Sequence, residues 1–264
     1  MPLRSHWRAE GVQDLLDAPM TGCKPPQDPG LIWPELVPGT LVRRYKRFLA
    51  EVQLDDGRLV TAHCPNSGSM LGCSEAGRPV YLSRQANPKR KLPFTWELID
   101  MGASLVGVNT LVPNRLVKGA IADGSVPSLQ GYDRITPEIR IPDTHTRLDL
   151  LLESANGGQC FVEIKNCTLV EAGTAAFPDA VTTRGRKHLQ QLRALRRAGH
   201  RAVIFFLIQR MDARRFAPAA HIDPDYAAEL QAVIADGVEI LVYDTCITLQ
   251  GIGIRGTVPW TTFF

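Results

Sequence analysis

Residues 146–166, TRLDLLLESANGGQCFVEIKN, constrain the fold more than any other stretch of this 264-residue chain. Two apolar-rich runs flank Ala155-Asn156-Gly157-Gly158. Asn-Gly between such runs marks a hairpin, because both residues accept the left-handed backbone of a tight turn. Alternation puts Leu148, Leu150 and Leu152 on one face of the first strand and Arg147, Asp149 and Leu151 on the other. On the second strand Cys160, Val162 and Ile164 oppose Phe161, Glu163 and Lys165. Antiparallel partners share a face, so a register centred on Asn156 sets Asp149 opposite Glu163, with Lys165 two residues further along.

Two carboxylates so placed suit Mg²⁺, a hard cation that leaves coordination positions for water and substrate phosphate. A lysine alongside can orient a nucleophile or stabilise charge developing on phosphorus. A surface hairpin with a cross-strand ion pair is the plainer reading of the same residues. The stretch resembles the core of the PD-(D/E)XK nuclease superfamily, in which a metal-binding Asp precedes Glu-x-Lys on a neighbouring strand. Asp149, Glu163 and Lys165 match those three positions, whereas Leu148 stands where the superfamily's proline would be.

Composition adds few limits. The chain is 44% hydrophobic and 22% charged, with a net charge of +3, which describes an ordinary globular protein with a sizeable core. Charge distribution says more: between Val181 and Arg215 stand ten Lys or Arg and a single acid, Asp212. Such a block is either a solvated face or a footprint for a polyanion. The six cysteines show no C-x-x-C pair and no regular spacing, so neither a zinc site nor a disulfide framework is expected. The first thirty residues lack a signal-peptide core, and the strongest apolar run, Ala202 to Ile208, is too short to span a bilayer. No membrane association and a cytoplasmic location are the expectation.

Residues 1–35 read as an N-terminal extension, with Val12, Leu15 and Leu16 making at most a short helix before a run of prolines. From Gly39 strands take over. TLVRRYKRFLAEVQL reads as one long strand, Asp55-Asp56-Gly57 as its turn and RLVTAHC as the return, with further strands at Arg78–Arg84 and Thr95–Asp100. Short strands between Gly- and Pro-rich turns over residues 36–100 predict a small barrel of the OB type. Arg43, Arg44 and Arg47, then Lys89, Arg90 and Lys91, form two basic clusters interleaved with Tyr45, Phe48, Phe94 and Trp96. They could grip a nucleic-acid strand and stack its bases. Equally, the aromatics could fill the barrel and leave the basic residues merely exposed.

HCPNSGSM at 63–70, NPKRKLPFTWEL at 87–98, FVEIKN at 161–166 and FPDAVTTRGRKHL at 177–189, in that order, resemble the sugar fermentation stimulation protein A family of prokaryotes. The resemblance runs from about Leu36 to the C-terminal end. It implies an OB-fold joined to a PD-(D/E)XK nuclease-like domain, here residues 101–264, and an association with DNA binding and sugar metabolism. A nuclease label resting on fold alone remains an analogy.

In that second part, TLVPNRLVKGAIADG predicts a helix, PEIRIP a first strand carrying Glu138 as an additional carboxylate candidate, and Asp179–Ala198 a helix closed by Gly199. Thr168–Pro178 reads as a loop. The resemblance sets Asp179, Thr183, Arg184, Lys187 and His188 at the helix face beside the metal site. Arg184 can clasp a phosphate with two N–H groups. His188 is either a proton shuttle or a helix-surface residue with a structural hydrogen bond. AVIFFLIQR predicts a central buried strand, joined to the Glu163–Lys165 strand through that helix by a right-handed crossover and paired with it in parallel, and Asp223-Pro224 opens a helix before VEILVYD. CITLQGIGI predicts an edge hairpin, and the apolar tail 260–264 is expected to pack back on the body.

The fold class is therefore α+β or α/β: an OB-like barrel followed by a mixed sheet with flanking helices. The leading functional reading is a DNA-binding protein with a phosphodiesterase site, in which Asp149 and Glu163 hold Mg²⁺ or Mn²⁺, the Ile164 carbonyl assists and Lys165 positions water. Single- and double-stranded DNA are both admissible substrates, and a homodimer is compatible with this reading. The alternatives are a non-catalytic DNA-binding regulator of sugar-metabolism genes and an RNA-directed nuclease.

Overall fold

A computed structural model describes residues 30–85, 89–142 and 146–262. Most of the anticipated N-terminal extension lies outside them. Its last residues do not behave as an extension: Leu31–Ile32 forms β1 and pairs with a strand near the C-terminus, and Trp33 is buried.

The first sheet comprises β2 (Leu36–Tyr45), β3 (Leu49–Leu54), β4 (Leu59–His63), β5 (Pro79–Arg84), β6 (Phe94–Asp100) and β7 (Leu105–Gly107). Their order is β4-β3-β2-β5-β6-β7, and a parallel pairing of β4 with β6 closes the first five into a barrel of the expected OB type. The single long strand anticipated before Asp55 is instead a hairpin, β2 and β3. Lys46 and Arg47 make its turn at φ 48° and 62°, a left-handed geometry that no Gly or Asn advertises in the sequence. Phe94 and Trp96 fill the barrel. β7 carries this sheet beyond Asp100, to Gly107.

The second part follows in chain order: α1 (Val112–Ala122), β8 (Arg134–Arg140), β9 (Arg147–Glu153), β10 (Gln159–Cys167), β11 (Leu169–Glu171), β12 (Thr174–Phe177), α2 (Thr183–Arg197), β13 (Arg201–Ile208), β14 (Arg215–Pro218), α3 (Pro224–Ala235), β15 (Glu239–Ile247) and β16 (Gly251–Thr257). The main sheet has the order β1-β16-β15-β13-β10-β9-β8. β10, β13 and β15 run parallel, joined by α2 and α3, whereas β8, β9 and β16 run antiparallel to their neighbours. One sheet face packs on α1 through Leu116, Leu150, Val162 and Phe205. The other packs on α2 and α3 through Phe161, Leu189, Phe206 and Leu230.

Two expectations give way here. The stretch after Lys165 is not a loop, because β11 and β12 turn at Ala172-Gly173 (φ 47° and 77°) and build a small sheet with β14. The β15–β16 hairpin forms as expected, yet β1 covers it and takes the edge. Of the tail, Trp260 bridges to Phe216 of β14, while residues 263–264 lie outside the described residues. Cys64, Cys73, Cys160 and Cys167 are free and buried, while Cys246 is disulfide-bonded, which is one link rather than a framework. Among the described residues no helix is long and apolar enough to cross a membrane.

Helix ends follow local chemistry. Thr182 caps α2 by accepting the Gly185 N–H at 3.0 Å, and Asp223 caps α3 by accepting that of Tyr226 at 2.9 Å. α2 starts four residues later than the sequence predicts, since the Asp179 carboxylate is engaged by the Met70 N–H of the barrel at 2.8 Å. Gly39 sits where β2 bends between β3 and β5, and a Cβ there would lie 2.7 Å from both the Gln53 carbonyl oxygen and Val52 Cγ1. Gly39→Ala should therefore destabilise the fold by about 1–3 kcal/mol. A melting temperature equal to that of the unsubstituted protein would show that the barrel is less tightly closed than described.

Candidate metal centre

The hairpin register is the one read from the sequence, with Leu152 opposite Cys160 and Leu150 opposite Val162, but the ladder stops there. Asp149 is also skipped on its other side, where β8 pairs Pro137 with Leu150 and then Ile139 with Leu148 around Glu138, at φ 56°. Freed from both neighbours, β9 twists. Leu148 joins Leu151 in the core under α2 instead of sharing a face with Leu150 and Leu152. The Asp149 carboxylate replaces the missing ladder: its Oδ2 accepts the Ile164 N–H at 2.8 Å and its Oδ1 the Asn114 amide at 2.7 Å.

Asp149, Glu163 and Lys165 line one cavity of about 470 Å³. Glu163 is only 2% exposed. Its Oε1 accepts from Lys165 Nζ at 2.6 Å and meets His188 Nδ1, whereas its Oε2 is buried and has no hydrogen-bond partner among the described residues. His188 Nε2 accepts from Arg184 Nε at 3.4 Å. This places the imidazole proton on Nδ1, against the carboxylate. His188 is therefore a buried residue that orients Glu163, and α2 presents it there because Leu189 and Leu192 anchor the adjoining stripe.

The two acids are driven apart in acidity. Burial and then the neighbouring Glu163 push Asp149 up to about 6, against the pull of the Ile164 N–H, Lys165 and Asn114. Burial also opposes ionisation of Glu163, but Lys165 and His188 outweigh it and hold that acid below its usual range. Charge crowding of this kind invites a cation. The orphaned Glu163 oxygen and the repelled Asp149 carboxylate are hard donors that fit a divalent ion. Among the described residues no group of three His, Cys, Asp or Glu side chains has ligating spacing, so such an ion would rest on two carboxylates plus backbone and water oxygens.

The barrel supplies part of the cavity wall. Arg47, at the tip of the strained β2–β3 turn, lines the cavity together with Asn66, Ser67 and Gly68. Of the other basic residues singled out, Arg184 lines the cavity while Lys187 faces the groove between α2 and α3. Arg44 is spent on structure, donating to the carbonyls of Arg47, Asn66, Gly68 and Ser69 at 2.8–3.1 Å. Arg43 pairs with Glu51 and stacks on Tyr45. Lys89, Arg90 and Lys91 are exposed, and Arg90 lines a different cavity. Glu138 is exposed and pairs with Arg147. Asp179 clamps the barrel through Met70 N and the Ser69 hydroxyl. Its oxygens leave no room for a side chain at Gly68.

Much of the basic block is paired with acids of the same chain. Arg186, Arg193, Arg197, Arg201 and Arg210 pair with Asp225, Glu229, Asp236, Glu239 and Asp212. Asn114 and the 66–68 loop are the site residues that sequence reasoning missed. The polar residue in the first turn of α1, directly after Pro113, was the available signal for Asn114.

Comparisons with known proteins agree with this architecture. Residues 42–108 match the family description "SfsA N-terminal OB domain", and residues 111–251 match "Sugar fermentation stimulation protein RE domain". A sugar fermentation stimulation protein homolog of Geobacter metallireducens is 53% identical over 224 residues, covering 85% of this chain and 96% of that protein. One from Rhodospirillum centenum is 52% identical over 223 residues, covering 84% and 95%. The solved structure of Pyrococcus furiosus SfsA, in complex with Ca²⁺, is similar at a TM-score of 0.82 and 28% identity, covering 89% of this chain and 99% of that one.

The raised Asp149 pKa carries a stability consequence. Below pH 4 the group is protonated whether folded or unfolded, and between pH 4 and about 6 only the folded state keeps its proton. In EDTA, stability should therefore fall as pH rises through that window, by about 1–3 kcal/mol. Asp149→Asn removes the loss if the Asn114 amide turns over to accept from the new NH₂. Urea unfolding should show the variant more stable than the parent at pH 7 but not at pH 4. A variant that is less stable at pH 7 would mean that the ionised carboxylate is a net support of the fold.

Proposed function

This chain belongs to the sugar fermentation stimulation protein A family, and we propose that it is a divalent-metal-dependent phosphodiesterase acting on nucleic acid, DNA foremost. One observation carries the reading: two neighbouring carboxylates, one with a buried oxygen lacking any partner, open with a lysine into a cavity edged by arginines. A structural ion pair does not need a second carboxylate held against its own charge. A relative in this family was solved in complex with Ca²⁺, an ion with the same preference for oxygen ligands.

Asp149 and Glu163, with the Ile164 carbonyl, would hold Mg²⁺ or Mn²⁺. Such a cation supplies charge neutralisation at the phosphate and acidifies water. The remaining work belongs to the chain. His188 fixes Glu163 by its Nδ1–H, so that Oε2 keeps a set direction. Lys165 keeps its ammonium against Glu163 Oε1, where it can orient the attacking water and stabilise negative charge growing on phosphorus. Arg47 and Arg184 supply guanidinium groups that grip phosphate on either side of the scissile bond. Asn114 and the Ile164 N–H hold Asp149 in place by two hydrogen bonds.

The decisive assay incubates the protein with single-stranded DNA, duplex DNA and RNA, each with Mg²⁺, Mn²⁺ or EDTA. Cleavage should require metal and fall by roughly 10²–10³-fold or more in Asp149→Asn, Glu163→Gln and Lys165→Ala, all purified identically. Equal cleavage by all four proteins, or none above the EDTA control in the parent, overturns the enzymatic reading in favour of a non-catalytic DNA-binding regulator.

A further inference from the structure

A second cavity, of about 300 Å³, lies between the barrel and the main sheet. It shares its walls with the candidate metal centre. His63 and Pro65 line it while Asn66 and Gly68 line the other, and Asn109 and Val112 face it while Thr110 and Pro113 face the other. The two cavities therefore adjoin through residues 63–68 and 109–113.

Glu97 lines the pocket and is only 5% exposed. Its Oε1 accepts the Ser83 hydroxyl at 2.6 Å and its Oε2 the Asn109 amide at 2.7 Å. Among the described residues no cation pairs with it. Buried carboxylates are normally neutralised by a cation or by several strong donors, and two neutral donors leave this one short. A carboxylate has about four lone-pair sites, so each oxygen retains room for a further donor. Around it stand the apolar surfaces of Trp33, Pro34 and Leu111, and two exposed cations, Arg90 and Arg115.

We infer that this pocket takes an unpaired guanine base, with Glu97 accepting its adjacent ring and amino N–H groups and Arg90 or Arg115 meeting the attached phosphate. Only guanine among the common bases offers two neighbouring donors on one edge. Adenine and cytosine pair an amino group with a ring acceptor, which would face the carboxylate lone pair to lone pair. Thymine and uracil flank one N–H with carbonyls. A guanidinium or ammonium ligand has suitable donors but would meet two arginines. In duplex DNA the guanine edge is already paired, so the base must come from a single strand or a free nucleotide. The strand assignment rests on the phosphodiesterase reading; the pocket's choice of base does not.

The test uses the full chain and two kinds of probe, in EDTA and at one fixed salt concentration. Calorimetry compares guanosine and adenosine monophosphates, and fluorescence anisotropy compares an all-thymidine oligonucleotide with the same strand carrying one guanine. Guanine should win by about tenfold or more in both arms. Glu97→Gln should abolish that preference while leaving affinity for the all-thymidine strand unchanged. The fold tolerates the change because the Ser83 hydroxyl can turn to accept, while Asn109, whose Oδ1 is held by the Leu111 N–H at 2.9 Å, still donates. If the melting temperature nonetheless drops, the two exposed arginines decide: Arg90→Ala combined with Arg115→Ala should weaken the guanine nucleotide but not guanosine itself. No guanine preference in the parent, or one retained in Glu97→Gln, overturns the inference. Preference for the mononucleotide without preference in the strand overturns the strand assignment. Metal-dependent cleavage with no base preference sinks this inference and leaves the phosphodiesterase standing; guanine preference without cleavage does the reverse.

Discussion

Keeping an ionised Glu163 out of water is the constraint on which the rest of this structure turns. Its charge is supported on one oxygen by Lys165 and His188 and left unsupported on the other. Removing either partner from such a buried charge costs about 3–5 kcal/mol, so the elements that bring them are fixed by the same requirement. Lys165 arrives by strand alternation, two residues on. His188 arrives by the parallel crossover that lays α2 over β10 and β13. The start of α2 is braced by Asp223, whose two oxygens accept the Thr182 N–H and cap α3. A local site thus fixes the relation of two helices to the sheet.

The neighbouring acid shows how a sheet makes room for chemistry. Had β9 kept its pairing, the Asp149 backbone would have been one more rung of a hydrogen-bonded ladder. Instead β8 and β10 both let go at this residue, and the carboxylate takes the Ile164 N–H that backbone would otherwise have satisfied. Backbone irregularities next to functional sites are tolerated because the surroundings over-determine them. The positive φ of Glu138, and those of Arg47 and Met70 on the barrel side, belong to this pattern.

The barrel is a part of the site rather than an attachment to it. Arg44 gathers four carbonyls of the turn and loop that reach the cavity, and Asp179 reaches back to the same loop from the second domain. At the seam the Gly107 N–H donates to the Gln209 carbonyl, and a Cβ on Gly107 would strike the Gln209 side chain. These contacts hold both cavities between two sheets that the chain builds separately.

The hairpin, its register, the crossover to a buried central strand and the Asp223 cap of α3 were legible in the sequence, because each depends on residues near one another in the chain: a turn dipeptide, a period of two, a capping side chain. The Asp149, Glu163 and Lys165 set was legible for the same reason. Long-range packing decided the rest. Whether a basic residue is free depends on acids about forty positions away, as with Arg186 and Asp225 or Arg201 and Glu239, and no local pattern records that. Arg44 and Arg47 are near neighbours in one basic cluster, yet one is consumed by backbone carbonyls and the other is aimed at the cavity. Trp96 looked equally suited to stacking a base or filling a barrel until closure of the sheet put it inside. Asn114 carries no motif, and Glu97, although it falls within the stretch 87–98, carries no local sign of its chemistry. Each acquires a role only when a partner distant in sequence is brought to it, and that is settled by tertiary structure because a hydrogen bond depends on distance in space, whatever the separation along the chain.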